Sequence, residues 1–365
     1  MLFYWIIISI ILVLCFIKDQ KKAYIISAGI LLILGATRGS TVGNDMHGGY
    51  WMEYLLMTPD PRSWGQWMPQ FEIGFQWCMA RFKQYLDFDN NPLHFFHVLF
   101  AITFLSYAYY IKKMSIYPTM ALFFMMGFAY YFSAYNTMRQ QLCDSLICIW
   151  MYLFLQKNEK PKYWIYAVVV VITCLLFHKS QMVMLLVIPI LKYYKSIPNK
   201  YLYVVLIISV VASIALAQFA FSKLNMLAIY FEGDRSNMAN YMSSDEAMGQ
   251  YSTFSNIINT LFCLYTVFTH RYRRDFYLTL YVAGVVILNI LTPISWIFMR
   301  IAFVFMFFRI FVYAEMWKNI PNKTERIIFR FVIIIFCLVM FQNRLINDHE
   351  QDVVPYVNMF MENKY

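Results

Sequence analysis

Residues 162–181 read KYWIYAVVVVITCLLFHKSQ. A lysine opens the run, Tyr163 to Phe177 carry no charge, and the polar His178-Lys179-Ser180-Gln181 breaks it. As a helix rising about 1.5 Å per residue, such a run crosses most of a hydrocarbon layer about 30 Å thick. The same alternation of apolar run and short polar break recurs throughout the 365 residues, at roughly 2–17, 22–36, 93–111, 117–134, 138–156, 162–177, 180–194, 201–219, 255–270, 276–291, 294–316 and 326–342. These runs predict an all-α, polytopic integral membrane bundle of about twelve transmembrane helices, within a range of eleven to thirteen. The runs at 162–177, 180–194 and 255–270 are short, consistent with little tilt, a break or a re-entrant path.

Composition points the same way. Apolar and aromatic residues make up 61% of the chain and charged ones 14%, with mean hydropathy +0.53. A soluble domain carries about a quarter charged residues, so a water-soluble globule is excluded, and so is a disordered chain. The seven cysteines form no CxxC pair and sit mostly inside apolar runs, where they read as packing residues. Six histidines without paired spacing argue against a metalloenzyme, and no cofactor motif is present. Leu2 to Ile17 has no basic segment before it and no small-residue cleavage site after it, so it is expected to be retained as a helix.

The net charge of +10 would point to nucleic acid in a soluble protein; here its distribution sets orientation instead. Eighteen of the basic residues fall in every second connection: 18–22, 112–113, 157–162, 192–200, 271–274 and 318–330. By the positive-inside rule these short loops face the cytoplasm. The other side then carries the long loops 37–92 and 220–254, the tail 343–365 and both termini, with residues 1–342 forming the bundle. Long loops hold function, so the working side is expected to be extracytoplasmic.

Several polar groups sit where a bilayer makes them expensive. Arg38 ends the second run and opens RGSTVGND, a segment rich in turns with Gly39, Gly43, Gly48 and Gly49 around Asp45; a flexible interfacial loop is the plain alternative to an anion site. In YNTMRQQLCDSL, Asn136, Gln140 and Asp144 are spaced to share a helix face beside Arg139, with Asp144 about 7–8 Å deeper than Arg139. Interhelical hydrogen bonding would explain that stripe as well. His178 and Lys179 break an apolar stretch; the histidine suits proton transfer or a simple helix cap. Arg300 follows Pro293 by seven residues with no acid near it in its own helix, and the alternative is snorkelling to the interface. Segment 71–86, FEIGFQWCMARFKQYL, has helical apolar spacing and is expected to lie on the outer interface, with Glu72 placed to cap it. Trp51, Trp64 and Trp67 fit either an interfacial belt or sugar stacking.

Arginines and a lysine from four segments on one side suit a diphosphate held at the membrane boundary, because guanidinium forks match phosphate oxygens. Carboxylates and a histidine nearby suit deprotonation of an attacking hydroxyl. Transfer of a glycosyl group away from a lipid diphosphate would use both and requires no metal in principle.

The order Arg38…Gly43-Asn44-Asp45…Tyr50, Glu72-x-Gly74, Arg139-Gln140, His178-x-Ser180 and a late Arg300 resembles the EpsG-like branch of the Wzy-type bacterial exopolysaccharide and O-antigen polymerases. The family's first motif usually reads Gly-Thr-Asp; Asn44 replaces the Thr and Asp45 is kept. The resemblance implies a multi-pass protein of the bacterial inner membrane with its site facing the periplasm or exterior. It implies oligosaccharide units on undecaprenyl diphosphate as substrates, surrounding lipid and a chain-length regulator as partners, and no nucleic acid. Carried over, Arg38, Arg139 and Arg300, with Lys179, Gln140 and Asp144 beside them, would bind substrate. Asp45, Glu72 or His178 would orient or deprotonate the acceptor. An outward-opening cavity is expected between the helices bearing Arg139, His178 and Arg300. A flippase for the same lipid-linked sugar and an acyltransferase of surface glycans are the competing readings; the first usually shows inverted repeats, none of which is visible, and the second a cytoplasm-fed His site.

Overall fold

A computed structural model describes residues 1–43, 46–230, 253–269, 275–293, 299–346 and 352–360, with side chains described for all of these except 47–48, 217–230 and 253–255. The described residues are helical throughout, joined by turns, with one isolated bridge between Arg38 and Asn358 in place of any strand. They form two compact units, Met1–Leu185 with Tyr313–Tyr365, and Leu186–Val312.

The first unit begins with α1 (Leu2–Cys15) and α2 (Gln20–Ala36). The Asp19 carboxylate caps α2 by accepting from the Lys22 N–H at 3.0 Å. After the long loop come α5 (Pro92–Met114), α6 (Pro118–Gly127), α7 (Tyr130–Asn136), α8 (Met138–Met151) and α9 (Tyr163–Phe177). The Asn91 side chain and Pro92 start α5, the longest helix of this group at 23 residues, which packs against α2 and α8. Gly35 lets α2 close on α5: a Cβ there would meet the Phe100 ring at 2.1 Å.

Several expected helices are interrupted. The run 117–134 breaks into α6 and α7 because Ala129 takes a left-handed φ of 62°. Asn136 closes α7 while Gln140 and Asp144 lie on α8, so the three do not share one helix face as the spacing implied; Thr137, with ψ 51°, separates them. Gln140 and Asp144 remain buried on α8, facing the unit's interior. The run 180–194 divides into a 3-10 segment, Lys179–Leu186, and α10 (Val187–Tyr193).

The second unit contains α11 (Asn199–Tyr230), α12 (Thr253–Thr269), α13 (Phe276–Leu291) and α14 (Met299–Met306); α15 (Arg309–Asn319) starts in it, and α16 (Lys323–Ile346) belongs to the first unit. Helix α11 continues to Tyr230, well into the stretch 220–254 expected as an outer loop. Residues 294–298 lie outside the described residues, and the run 294–316 otherwise divides between α14 and α15. Inside this unit Asn289 donates to Ser209 and to Thr260, each at 2.9 Å, and Arg309 donates to Asn259 at 3.2 Å. That network joins α11, α12, α13 and α15 through polar groups in otherwise apolar surroundings.

By length and apolarity alone, Pro92–Met114 and Asn199–Leu216 suffice to cross a bilayer among the described residues, and Leu2–Cys15, Pro118–Gly127, Tyr163–Phe177, Asn256–Thr269 and Phe276–Leu291 are shorter apolar helices. Apolar side chains line the outside as well: Leu2, Ile6, Ile10 and Val13 of α1 are all exposed, as expected of a helical membrane protein.

Candidate functional site

The site is built on loop 37–92 of the first unit, which is largely structured. It holds a π turn at Met46–Tyr50, α3 (Trp51–Leu56), a short 3-10 turn at Pro61–Ser63 and α4 (Ile73–Tyr85). Glu53, a residue the sequence did not single out, organises it. Its fully buried carboxylate accepts from the backbone N–H groups of Gly65 at 2.6 Å, Trp67 at 2.9 Å and Met68 at 3.0 Å. Gly65 makes the turn possible with φ +71°. Lys83 of α4 donates to the Tyr54 and Leu55 carbonyls at 3.0 and 2.7 Å, tying the end of α3 to α4.

Beneath this loop Tyr50, Tyr54, Phe71, Phe75, Phe95 and Phe96 form one aromatic cluster. Helix α4 turns Phe75, Met79 and Phe82 into it and leaves Ile73, Trp77 and Tyr85 exposed. It therefore has two apolar faces, one packed on protein and one open. Trp51 and Trp64 are partly buried against the cluster, and Trp67 is exposed.

Glu72 stands at the N-cap position of α4, but its side chain makes no capping hydrogen bond. It turns outward to two other segments instead. Oε2 pairs with the Arg139 guanidinium at the start of α8. Oε1 accepts from the Lys179 N–H at 3.2 Å and stands 3.8 Å from His178 Nδ1, just past α9. Gly74 sets this meeting. A Cβ there would come within 2.6 Å of the Leu176 Cβ and 2.7 Å of its carbonyl oxygen, so only glycine lets α4 approach the end of α9 so closely. Arg139 is held on three further sides: Nε donates to the Tyr50 hydroxyl at 3.2 Å, NH1 donates to the Gln70 carbonyl at 3.3 Å, and the Phe71 ring lies 4.2 Å below its guanidinium carbon. Glu72, Arg139, His178 and Lys179, distant in sequence, thus meet at one place that is narrowly open to the outside, with 12% of the Arg139 side chain and 23% of the His178 side chain exposed.

Arg38 lies under the neighbouring α7–α8 junction and is fully buried. NH1 donates to the carbonyls of Val42 at 3.2 Å and Tyr135 at 3.1 Å, NH2 reaches the Met138 sulfur at 3.6 Å, and the Tyr135 ring lies 4.4 Å away. Burial lowers its guanidinium to about 10, so the charge survives at neutral pH. Gly43, at φ +111°, keeps the space that a Cβ would take 2.9 Å from Arg38 NH1. The stretch around Arg38 is clasped by residues 352–360: Gly39 N–H donates to the Val357 carbonyl at 2.7 Å, Gly43 N–H to Asp352 at 3.0 Å, and Met359 N–H to Thr37 at 2.9 Å. The Tyr4 hydroxyl of α1 holds the Val353 carbonyl at 2.9 Å. The start of α1, the end of α2 and the tail segment therefore share one end of the first unit. His97 of α5, unremarked in the sequence, completes the support, its Nε2 lying 2.7 Å from the Arg38 carbonyl.

Asp45 lies outside the described residues. Arg300 belongs to the second unit, half-buried in the first turn of α14. The turn between α4 and α5 gathers donor atoms of Asp87, Asp89 and His94 within 4.8 Å of one another, a grouping that motif spacing does not announce.

The EpsG family model matches residues 21–358, nearly the whole chain. The chain belongs to the EpsG family. No curated protein and no solved structure matches it. EpsG proteins are a Wzy-like polymerase family. Within this EpsG-family chain, several of the segments that carried the resemblance fall into two adjacent groups of the first unit: the Arg38 loop below the α7–α8 junction, and Glu72-x-Gly74, Arg139-Gln140 and His178-x-Ser180 above it; Arg300 lies in the second unit and Asn44-Asp45 outside the described residues.

Proposed function

We propose that this protein joins oligosaccharide repeat units carried on undecaprenyl diphosphate, at the outer face of the bacterial cytoplasmic membrane. The observation that carries the reading is the meeting of Arg139, Glu72, His178 and the Lys179 N–H, supplied by three separate segments, at a partly open position above a buried aromatic floor. Family membership supports polymerase chemistry, and the exposed apolar helix faces support a membrane-embedded helical bundle.

In this reading the growing chain is the donor. An acceptor hydroxyl attacks the anomeric carbon, the bond from that carbon to the phosphate oxygen breaks, and lipid diphosphate leaves with the bonding pair. Arg139 neutralises the leaving group, and its Tyr50 and Phe71 contacts keep it oriented before substrate arrives. His178, whose Nδ1 stands 3.8 Å from Glu72 Oε1 in the substrate-free site, takes the hydroxyl proton. Arg38 braces the α7–α8 junction from beneath rather than touching substrate, in keeping with its enclosure. Gln140 and Asp144 are buried on α8, which begins beside Arg139.

Purified protein in lipid nanodiscs, given lipid-linked repeat units, should produce a ladder of longer glycans. Arg139→Ala should abolish the ladder and Arg300→Ala should weaken it; ladders untouched by both substitutions would refute diphosphate binding. Transport of the lipid-linked unit across vesicles without chain growth would favour a flippase instead. Adding a chelator tests metal independence directly, because the Asp87, Asp89 and His94 cluster has oxygen and nitrogen donors of the kind that hold divalent cations.

A further inference from the structure

A carboxylate at the start of a helix ordinarily turns back onto its own first-turn N–H groups. Glu72 does not; both of its oxygens are engaged by α8 and by the segment after α9. The groups around it are a guanidinium, a backbone N–H and an imidazole, all converging on one carboxylate. That is the donor set that binds tetrahedral oxyanions, with the guanidinium supplying charge and the N–H supplying direction. The guanidinium is also secured independently of Glu72, by Tyr50, the Gln70 carbonyl and the Phe71 ring, so it would keep its aim if Glu72 left.

We infer that Glu72 is a displaceable internal occupant of the phosphate subsite, standing in for a substrate phosphate until one arrives and takes over Arg139, the Lys179 N–H and His178. The identity of that phosphate as part of a lipid diphosphate rests on the polymerase reading above. The exchange breaks no covalent bond: one ion pair to Arg139 replaces another, and the released carboxylate is left at the N-terminus of α4, where it can accept from first-turn N–H groups. Two physical consequences follow. The empty site never leaves Arg139 buried beside aromatic rings without a counter-ion, which would be strongly destabilising. Singly charged carboxylates and small anions compete poorly against a tethered carboxylate, whereas a diphosphate brings more charge and more oxygens to the same donors. The subsite therefore selects for phosphate chemistry by requiring its ligand to evict a resident.

The test uses the full-length protein in nanodiscs and inorganic pyrophosphate as the probe. In the wild-type protein, labelling of carboxylates with a diazo reagent, mapped by mass spectrometry on the peptide containing Glu72, should rise at least threefold when pyrophosphate is added, because the displaced carboxylate becomes accessible. Glu72→Gln, which keeps size but drops the charge and one of the two acceptor oxygens, should bind pyrophosphate about tenfold more tightly than wild type, and Arg139→Ala should bind it in neither background. Unchanged or reduced labelling of Glu72 overturns the inference, and so does a Glu72→Gln variant that binds no more tightly; the labelling arm does not depend on any variant folding. Glycan ladders from wild type without displacement of Glu72 would sink the stand-in role alone, while displacement without ladders would sink the polymerase reading and leave the anion subsite standing.

Discussion

Substituting Gly74 by alanine puts the α4–α9 contact to the sharpest test. The added Cβ would stand 2.6 Å from the Leu176 Cβ, 2.7 Å from its carbonyl oxygen and 3.0 Å from its Cα, where ordinary contact begins at 3.4 Å. Two of those three atoms are backbone, so no rotamer change relieves the clash, and α4 must retreat by about 0.8 Å, the shortfall at the closest atom. A retreat of that size along the contact would stretch Glu72 Oε1 to Lys179 N from 3.2 Å to about 4 Å, beyond hydrogen-bonding range. Overpacking of this kind costs about 1–3 kcal/mol in stability, and a displacement near 1 Å in a reacting site costs about 10²-fold in rate. The assay is the rate of ladder growth beside a thermal unfolding scan in the same nanodiscs. Gly29→Ala is the control: it lies in α2 with nothing within 4 Å of its added Cβ, so activity should hold and stability should rise slightly, by up to about 1 kcal/mol. If Gly74→Ala keeps more than about half of the wild-type rate with an unchanged Tm, the close approach of α4 to α9 does not position Glu72 and the geometry argued above is wrong.

Glu53→Ala strips three backbone N–H groups of their acceptor, so it should destabilise the loop by about 3 kcal/mol or more, read as a lower Tm and faster proteolysis between residues 57 and 70. Val353→Asp places a charge in a fully buried position under the Tyr4 hydroxyl bond, and should cost about 2–3 kcal/mol and loosen the Arg38 loop, measured by hydrogen exchange of the Gly39 and Gly43 amides. Burial disfavours ionisation of Asp87, but the Tyr54 hydroxyl, the Asn91 N–H, Asp89 and His94 outweigh it and hold its carboxyl below its usual value. Its stabilising contribution is therefore complete above an ordinary carboxylate pKa of about 3.9 and disappears as pH falls through the lower folded value; Asp87→Asn should flatten that acid limb of a Tm-against-pH profile. Arg139→Lys should retain some anion binding yet lose most of the rate, because a lysine ammonium cannot pair Glu72 or phosphate in a fork while donating to Tyr50; comparable rates for the two residues would show that only charge is needed there.

Much of this molecule is legible from apolar periodicity, and the exceptions share one cause. Helices α5, α9 and α13 lie within a few residues of their apolar runs, because in a bilayer the run and the helix answer to the same requirement, internal satisfaction of every backbone group. The breaks do not show in hydropathy. Ala129 is apolar and neither Gly nor Pro, so nothing at that position marks the left-handed residue that parts α6 from α7. Likewise, helix α11 runs on to Tyr230 through Ser222, Lys223 and Asn225, positions that read as loop in the sequence. Spacing brought Arg139, Glu72 and His178 forward one at a time, each on one side of the bundle, but their contact depends on Gly74, whose role is a distance to Leu176 that no local pattern encodes. Glu53 and His97 escaped notice for a related reason: each is a single polar residue among apolar ones, and its partners are backbone groups that leave no mark in composition.

The clasp between residues 37–43 and 352–360 carries a consequence for biogenesis. Asn358 reaches Thr37 across 321 positions of sequence. A ribosome adding roughly 5–20 residues per second needs on the order of a quarter of a minute or more to cover that separation. Throughout that interval the newly inserted early helices must wait with the Arg38 loop unlatched, and insertion-stage chaperones would meet an arginine not yet enclosed. The latch can therefore close only after the last of the intervening residues has been made, so the Arg38 loop is completed late in synthesis.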